Sequence, residues 1–297
     1  MSKFDAIDLS LLPAPAVVEA LDYETVLAAM KADLLARDAE FSAALLESDP
    51  AVKVLEVAAY RETLIRQRVN DAARATMLAH ATGADLDNLA ALVKVARQIV
   101  DAGDPDAIPP VAPTYETDAR LRERAQLAME AITNAGSEGA YIFHAKSASP
   151  LVLDVDVASP DPGDVLVTIL STEDGGIADS ELLGLVTAAL NVKDVRPLTD
   201  QVTVQAAEAV DYAVTAELEV YPGPDAEVVR LASATAVATF AAKQRKLGEP
   251  VTIDGLHKAL RVDGVRKVAM TEPEADVEPT NEQFANLTAA TVTLAEA

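Results

Sequence analysis

The chain of 297 residues contains no cysteine and no tryptophan, only three histidines, and aromatic side chains at 4% of positions. Without cysteine there are no disulfides, no thiolate nucleophile and no zinc-thiolate site. His80, His144 and His257 fall in different expected elements, so no local pair is placed to bind a metal, and each is read as a helix-face or interface residue. Basic residues are also scarce, 24 against 48 acidic ones, for a net charge of -24. Binding to a phosphate backbone needs clustered Lys and Arg, so direct nucleic-acid binding is not expected. Long apolar runs are missing too, and nothing approaches the ~20 residues of a spanning helix, so no membrane insertion is expected. Near the N-terminus, Asp5 and Asp8 interrupt the apolar stretch that a signal peptide needs, which points to a protein made and kept in the cytoplasm.

Catalytic patterns are equally thin. Walker A, dinucleotide-glycine and H-E-x-x-H motifs are absent, and Gly136-Ser137-Glu138-Gly139 is one residue short of a nucleophile elbow, which makes a helix cap the better reading. Asp154 with Asp156, and Asp161 with Asp164, are paired carboxylates without the D-x-D-x-D-G ladder of a calcium loop, and an acidic strand face is ordinarily solvated. No cofactor is implied.

What is present is 50% apolar content, mostly Ala, Val and Leu, enough to fill about two cores. The periodicity gives an α+β fold, a mainly helical N-terminal half followed by two small strand/helix modules. A helix is expected over 22 to 47, with Leu27, Met30, Leu34, Phe41 and Leu45 at helical spacing. Asp49-Pro50 starts a second helix to about His80, presenting Leu55, Ala58, Ile65, Val69 and Ala72; Gly83 closes it and Asp85 opens a short third. These elements make a helical region over 1–100. Pro105, Pro109, Pro110 and Pro113 mark 101–116 as an ordered linker that is a candidate for reorientation. A helical hairpin covers 117–150, from Asp118 to about Ile132 and then from an N-cap at Ser137 to a stop before Pro150.

Alternation then takes over. Residues 151–207 read as strand, strand, helix from Asp179 and strand, with Pro160 to Gly163 as the first turn. Residues 208–275 read as a strand at Tyr212 to Tyr221, a helix from Asp225 to about Lys246, a short helix capped by Asp254, and a strand at Val265 to Met270. A tail over 276–297 carries an expected strand at Thr291 to Leu294.

Charge is unevenly spread: residues 151–297 hold 25 acidic and 10 basic side chains, whereas residues 51–100 hold 5 acidic and 7 basic. Two readings of that basic helix stand side by side. Its charges form a solvated face with i,i+4 pairs, or Arg61, Arg66 and Arg68, with Arg74, meet an acidic partner in an assembly.

The run Gly136-Ser137-Glu138-Gly139-Ala140-Tyr141, the helix after it, the strand and the turn Ser159-Pro160-Asp161-Pro162-Gly163 resemble the Baseplate J-like family. Tyr60 to Asn70, Ala81 to Ala90, Glu116 to Arg122, Val195 to Val204 and Gly264 to Val268 extend the resemblance in order over roughly residues 20 to 275. The resemblance implies a structural wedge subunit of a contractile-tail baseplate, assembled in the host cytoplasm and ending in the virion baseplate. Its implied partners are other wedge proteins, further copies of itself, and hub or sheath-initiating proteins. A tail-associated cell-wall or polysaccharide hydrolase and a host-binding module are the alternatives. Against the first stands the lack of an acid, base and nucleophile set, and against the second the shortage of aromatic anchors. Gly136, Ser137, Gly139 and Tyr141 are expected to be structural.

Overall fold

The computed structural model describes residues 7, 9–13, 15–38, 49–132, 136–223 and 225–295. The chain divides into two compact units, one of Ala6–Arg97 with Thr117–Glu123, the other of Gln98–Glu116 with Arg124–Ala297.

The first unit is helical. Helix α1 (Tyr23–Arg37) starts at Asp22, whose carboxylate accepts from the Thr25 N–H at 2.9 Å, and ends at Asp38, which is extended. The expected continuation through Phe41 and Leu45 lies outside the described residues. Helix α2 (Pro50–Ala75) has Pro50 in its first turn and Asp49 as the cap, accepting from Ala51 at 2.7 Å, as the sequence suggests. It stops at Thr76, short of the expected His80. Its buried residues are Val52, Ala59 and Asn70; of the apolar residues expected on one face, Leu55 and Ala58 are half-buried, whereas Ile65, Val69 and Ala72 are exposed.

Helix α3 (Gly83–Leu92) begins at Gly83 itself, two residues earlier than Asp85 suggests, and Gly83 takes a φ of 54°. Its N–H donates to the Asp118 carboxylate at 3.1 Å. Asp118 in turn receives Arg97 at 2.7 Å, and Arg97 also holds Asp87. The Arg122 guanidinium donates to the Leu78 and Ala81 carbonyls, both at 2.7 Å, closing the chain reversal ahead of α3. Leu86, Ala90 and Leu121 of this unit are fully buried.

The second unit opens with a small antiparallel ladder. Strand β1 (Ile99–Asp101) pairs with β2 (Thr114–Tyr115), and an isolated bridge joins Asp104 to Val111. The Pro-rich segment is thus a hairpin, with Pro105, Pro109 and Pro110 in its tip, where no ladder N–H is required. Helix α4 (Asp118–Leu127) ends before the expected Ile132, and a 3-10 turn follows over Glu130–Ile132. Helix α5 (Glu138–Ala148) is capped by the Ser137 hydroxyl, which accepts from Ala140.

A three-stranded sheet follows in the order β3-β4-β5. Strand β3 (Val152–Ala158) is antiparallel to β4 (Asp164–Ser171), and β4 is parallel to β5 (Gln201–Ala206). Between β4 and β5 the chain crosses over through α6 (Ser180–Leu190), capped by Asp179 as expected. Its Leu182, Val186 and Leu190 are buried, as are Val167 and Ile169 of β4. An irregularity between Val152 and Asp154 breaks the strict alternation, so that Val152 and Val155 are both buried although three residues apart.

A second three-stranded sheet has the order β7-β6-β8, in which the long β6 (Glu208–Val220) is central. Strand β7 (Val265–Glu272) runs antiparallel to it and β8 (Gln283–Leu294) parallel. The expected short strand at Thr291 is therefore the end of a 12-residue element that is integral to the sheet. Helix α7 (Ala226–Gln244) is capped by Asp225. Helix α8 (Ile253–Leu260) is capped by Thr252, whose hydroxyl accepts from Gly255 at 3.1 Å, and Asp254 lies inside the first turn. Val214, Leu218, Val237, Leu256 and Leu260 make an apolar core here. Leu170 and Ala207 of the first module meet Leu247 and Phe284 of the second in a smaller cluster, and Phe284 is fully buried.

Candidate functional site

Two groups of residues stand out in the sequence, and the structure gives them opposite settings. The run 136–141 is built inward. Gly136 has a φ of 71°, and a Cβ there would come within 2.8 Å of Pro197 and 2.9 Å of the Asp200 carboxylate. Tyr141, 2% exposed, donates its hydroxyl to Asp200 at 2.8 Å, and Gly139 is buried beside it. Burial, reinforced by the neighbouring Asp200 carboxylate, pushes the Tyr141 phenol well above its ordinary pKa, so it stays protonated as a donor. Two fragments far apart in sequence, 136–141 and 195–200, are thereby brought into one joint. His144, further along α5, packs edge-on to Phe143 at 5.3 Å, and burial holds its pKa below the usual imidazole value.

The arginines of α2 are built outward, although not all alike. Asn70 fixes the inner side of the helix to the preceding chain: it accepts from the Glu19 N–H at 3.0 Å and donates to the Glu19 carbonyl at 2.9 Å. Arg66 flanks that contact and is engaged within the chain, donating to Glu62 at 2.6 Å and Glu19 at 3.2 Å. Those carboxylates, Glu62 foremost, raise its pKa further. Arg61 and Arg68 are exposed, and neither forms an ion pair with any described residue. Around them Val54, Val57, Tyr60, Leu64, Ile65 and Val69 are all exposed, from 44% for Leu64 to 68% for Val54.

A third feature escaped the sequence reading. Glu116 and Arg124, both nearly fully buried, form an ion pair, and Glu116 also accepts from the Gln98 N–H at 2.9 Å. Gln98 donates from its side chain to the Ser147 carbonyl at 2.8 Å, which ties β1 to α5. Desolvation lowers the Arg124 pKa, with Glu116 opposing it. Lys146, on the same helix as Tyr141, reaches Asp154 at 3.5 Å, and Asp154 also accepts from the Leu247 N–H at 3.1 Å. Asp156 is 4% exposed, so the acidic face of β3 is not a solvated one. The signal for Arg124 and Lys146 was their position among apolar residues on their helices, such as Leu121, Ala125, Ile142 and Ala145. Charges so placed need partners when they are buried.

Among the described residues, no group of three or more His, Cys, Asp or Glu could hold a metal ion, and no helix is long and apolar enough to cross a membrane. The chemistry of these sites is that of packing and pairing: an internal joint, a buried ionic tie and an outward apolar helix face with two arginines.

These features are those of a building part, and comparison with known proteins identifies which kind. The Baseplate J-like N-terminal domain matches residues 47–104, the Baseplate J-like central domain residues 133–206, and the Baseplate J-like protein C-terminal domain residues 212–293. The chain belongs to the Baseplate J-like family. It is 44% identical over 277 residues to Baseplate protein J of Escherichia phage P2, covering 91% of this chain and 92% of that protein. A chain in the baseplate of the anti-feeding prophage is similar at 16% identity and a TM-score of 0.41, over 60% of this chain and 43% of that one.

Proposed function

We propose that this chain is a structural subunit of the baseplate of a contractile phage tail or tail-like particle, acting in baseplate assembly and in coupling to sheath contraction and carrying no catalytic role. The observation that carries this reading is the collinear match to Baseplate protein J of phage P2 across nine tenths of both chains. The subunit assembles in the host cytoplasm with other baseplate proteins, among them further copies of itself and hub or sheath-initiating proteins, and ends in the virion. Rigid parts with discrete packings suit this role, because small shifts at their contacts are amplified into larger rearrangements. The joint at Gly136, Tyr141 and Asp200 and the Glu116–Arg124 tie keep such parts rigid. Arg61 and Arg68 contribute to an interface, whereas Arg66 serves mainly the chain's own fold.

The test is to purify the particles and locate the chain by antibody labelling in electron micrographs. Label confined to the baseplate end, with no complete tails formed when the chain is omitted, is the expected result. Complete, contractile tails without the chain would overturn the reading.

A further inference from the structure

We infer that the outward face of α2 is the docking surface for an acidic amphipathic helix of another protein. This rests on the reading of the chain as an assembly subunit and specifies the chemistry of one partner. Val54, Arg61 and Arg68 recur every seven residues, and Val57 and Leu64 follow the first two by three, which is the a and d spacing of a helix-pairing seam. Tyr60 and Ile65 flank that seam. The seam is not the internal face of α2, since Val52, Ala59 and Asn70 occupy the opposite side and are buried. Val54, Val57 and Leu64 remain 68%, 63% and 44% exposed. Isolated exposed apolar residues are ordinary on a protein surface, but a contiguous stripe marks an interaction site.

Charge selects the occupant. In a chain with twice as many acidic as basic residues, several nearby cations find carboxylates: Lys53 holds Glu56, Arg66 holds Glu62 and Glu19, and Arg97 holds Asp87 and Asp118. Arg61 and Arg68, two turns apart on the seam, have no such partner among the described residues. A second copy of α2 in parallel would set Arg61 against Arg61, and an antiparallel one would offer two arginines only Asp71, which already accepts from Gln67 at 2.8 Å. A basic helix would be repelled. A helix with apolar residues along one stripe and Glu or Asp beside it satisfies both the apolar residues and the arginines.

The test uses the full-length chain and two synthetic peptides of about three heptads, alike in an all-Leu seam but flanked by Glu in one and by Lys in the other. Binding is followed by fluorescence anisotropy at physiological salt, with circular dichroism and thermal melting confirming that every variant is folded. The expected result is at least about tenfold tighter binding of the acidic peptide, a preference that R61E/R68E reverses and that R66E does not. Leu64→Ser should weaken the acidic peptide by a similar factor. Equal binding of both peptides, binding of neither, or a self-association of the chain that displaces the peptide would overturn the inference. If R61E/R68E stops tail assembly while the chain shows no peptide preference, the subunit reading stands and the acidic-helix partner does not.

Discussion

The two strand modules share a layout, three strands with helical cover, and fill it in different ways. In and around the first module the buried groups include Lys146, Ser149, Asp156, Thr168 and Ser171, with Glu116 and Arg124 behind α5. In the second, among the described residues, the buried polar side chain is Ser233, whose hydroxyl donates to the Leu260 carbonyl at 2.9 Å, within a core otherwise made of Val, Leu, Ala and Tyr. Directional bonds between buried polar groups fix one arrangement and tolerate little change, because a lost partner leaves a desolvated charge or dipole. Apolar packing is non-directional and accepts substitutions of similar volume. The first module is therefore set by pairing and the second by filling.

Four substitutions break or sharpen that contrast. The largest loss is expected where the two modules meet: Phe284→Ala removes a fully buried ring and should cost about 4 kcal/mol, seen as a fall in the urea midpoint of the second unit. Next comes Glu116→Gln, a near-isosteric change that leaves Arg124 buried beside a neutral amide. It should cost about 3 kcal/mol, and much of the loss should be recovered when Arg124 is also replaced by Met. If Glu116→Gln proves neutral, the first module is not governed by pairing. Gly136→Val should cost about 2 kcal/mol through both its positive φ and the approach of Pro197, measured as a lower thermal midpoint. The smallest effect belongs to the filled module: Leu256→Met keeps the volume and should cost about 1 kcal/mol or less in the same melt, far below the equally conservative change at Glu116.

Much of this architecture was legible because local chemistry and tertiary demand agree. Asp49-Pro50, Ser137, Asp179 and Asp225 all cap the helices they precede, and the alternation at 208–220 follows a strand with one face on the core. The failures have physical causes. Apolar residues lie nearly all round α2, so spacing alone did not separate the side packed on α1 from the side left outward. Thr252 outcompetes Asp254 because it sits in the extended position from which a hydroxyl reaches the N–H three residues on. Strand β8 was underestimated because Asn286, Ala289 and Ala290 favour strands weakly, and its parallel partner is 75 residues away. Of the functional surface, the arginines of α2 were visible as charge, but only the fold separates Arg66, held by Glu62 and Glu19, from Arg61 and Arg68. The Glu116–Arg124 tie needed the fold itself, since nothing in eight residues of separation shows that both side chains will be dry.

The parallel pairing of β6 with β8 also imposes an order on synthesis. When the ribosome has made Glu208–Val220, neither neighbour of that strand yet exists, and the parallel one follows only after α7, α8 and β7 have been translated. Both edges of a 13-residue strand thus stay open to solvent or to other nascent chains until β7 is made, and the edge that β8 covers stays open longer still. Translation speed over residues 221–283, more than the final stability of the sheet, governs how long each newly made copy is exposed to mispairing with its siblings on the same polysome.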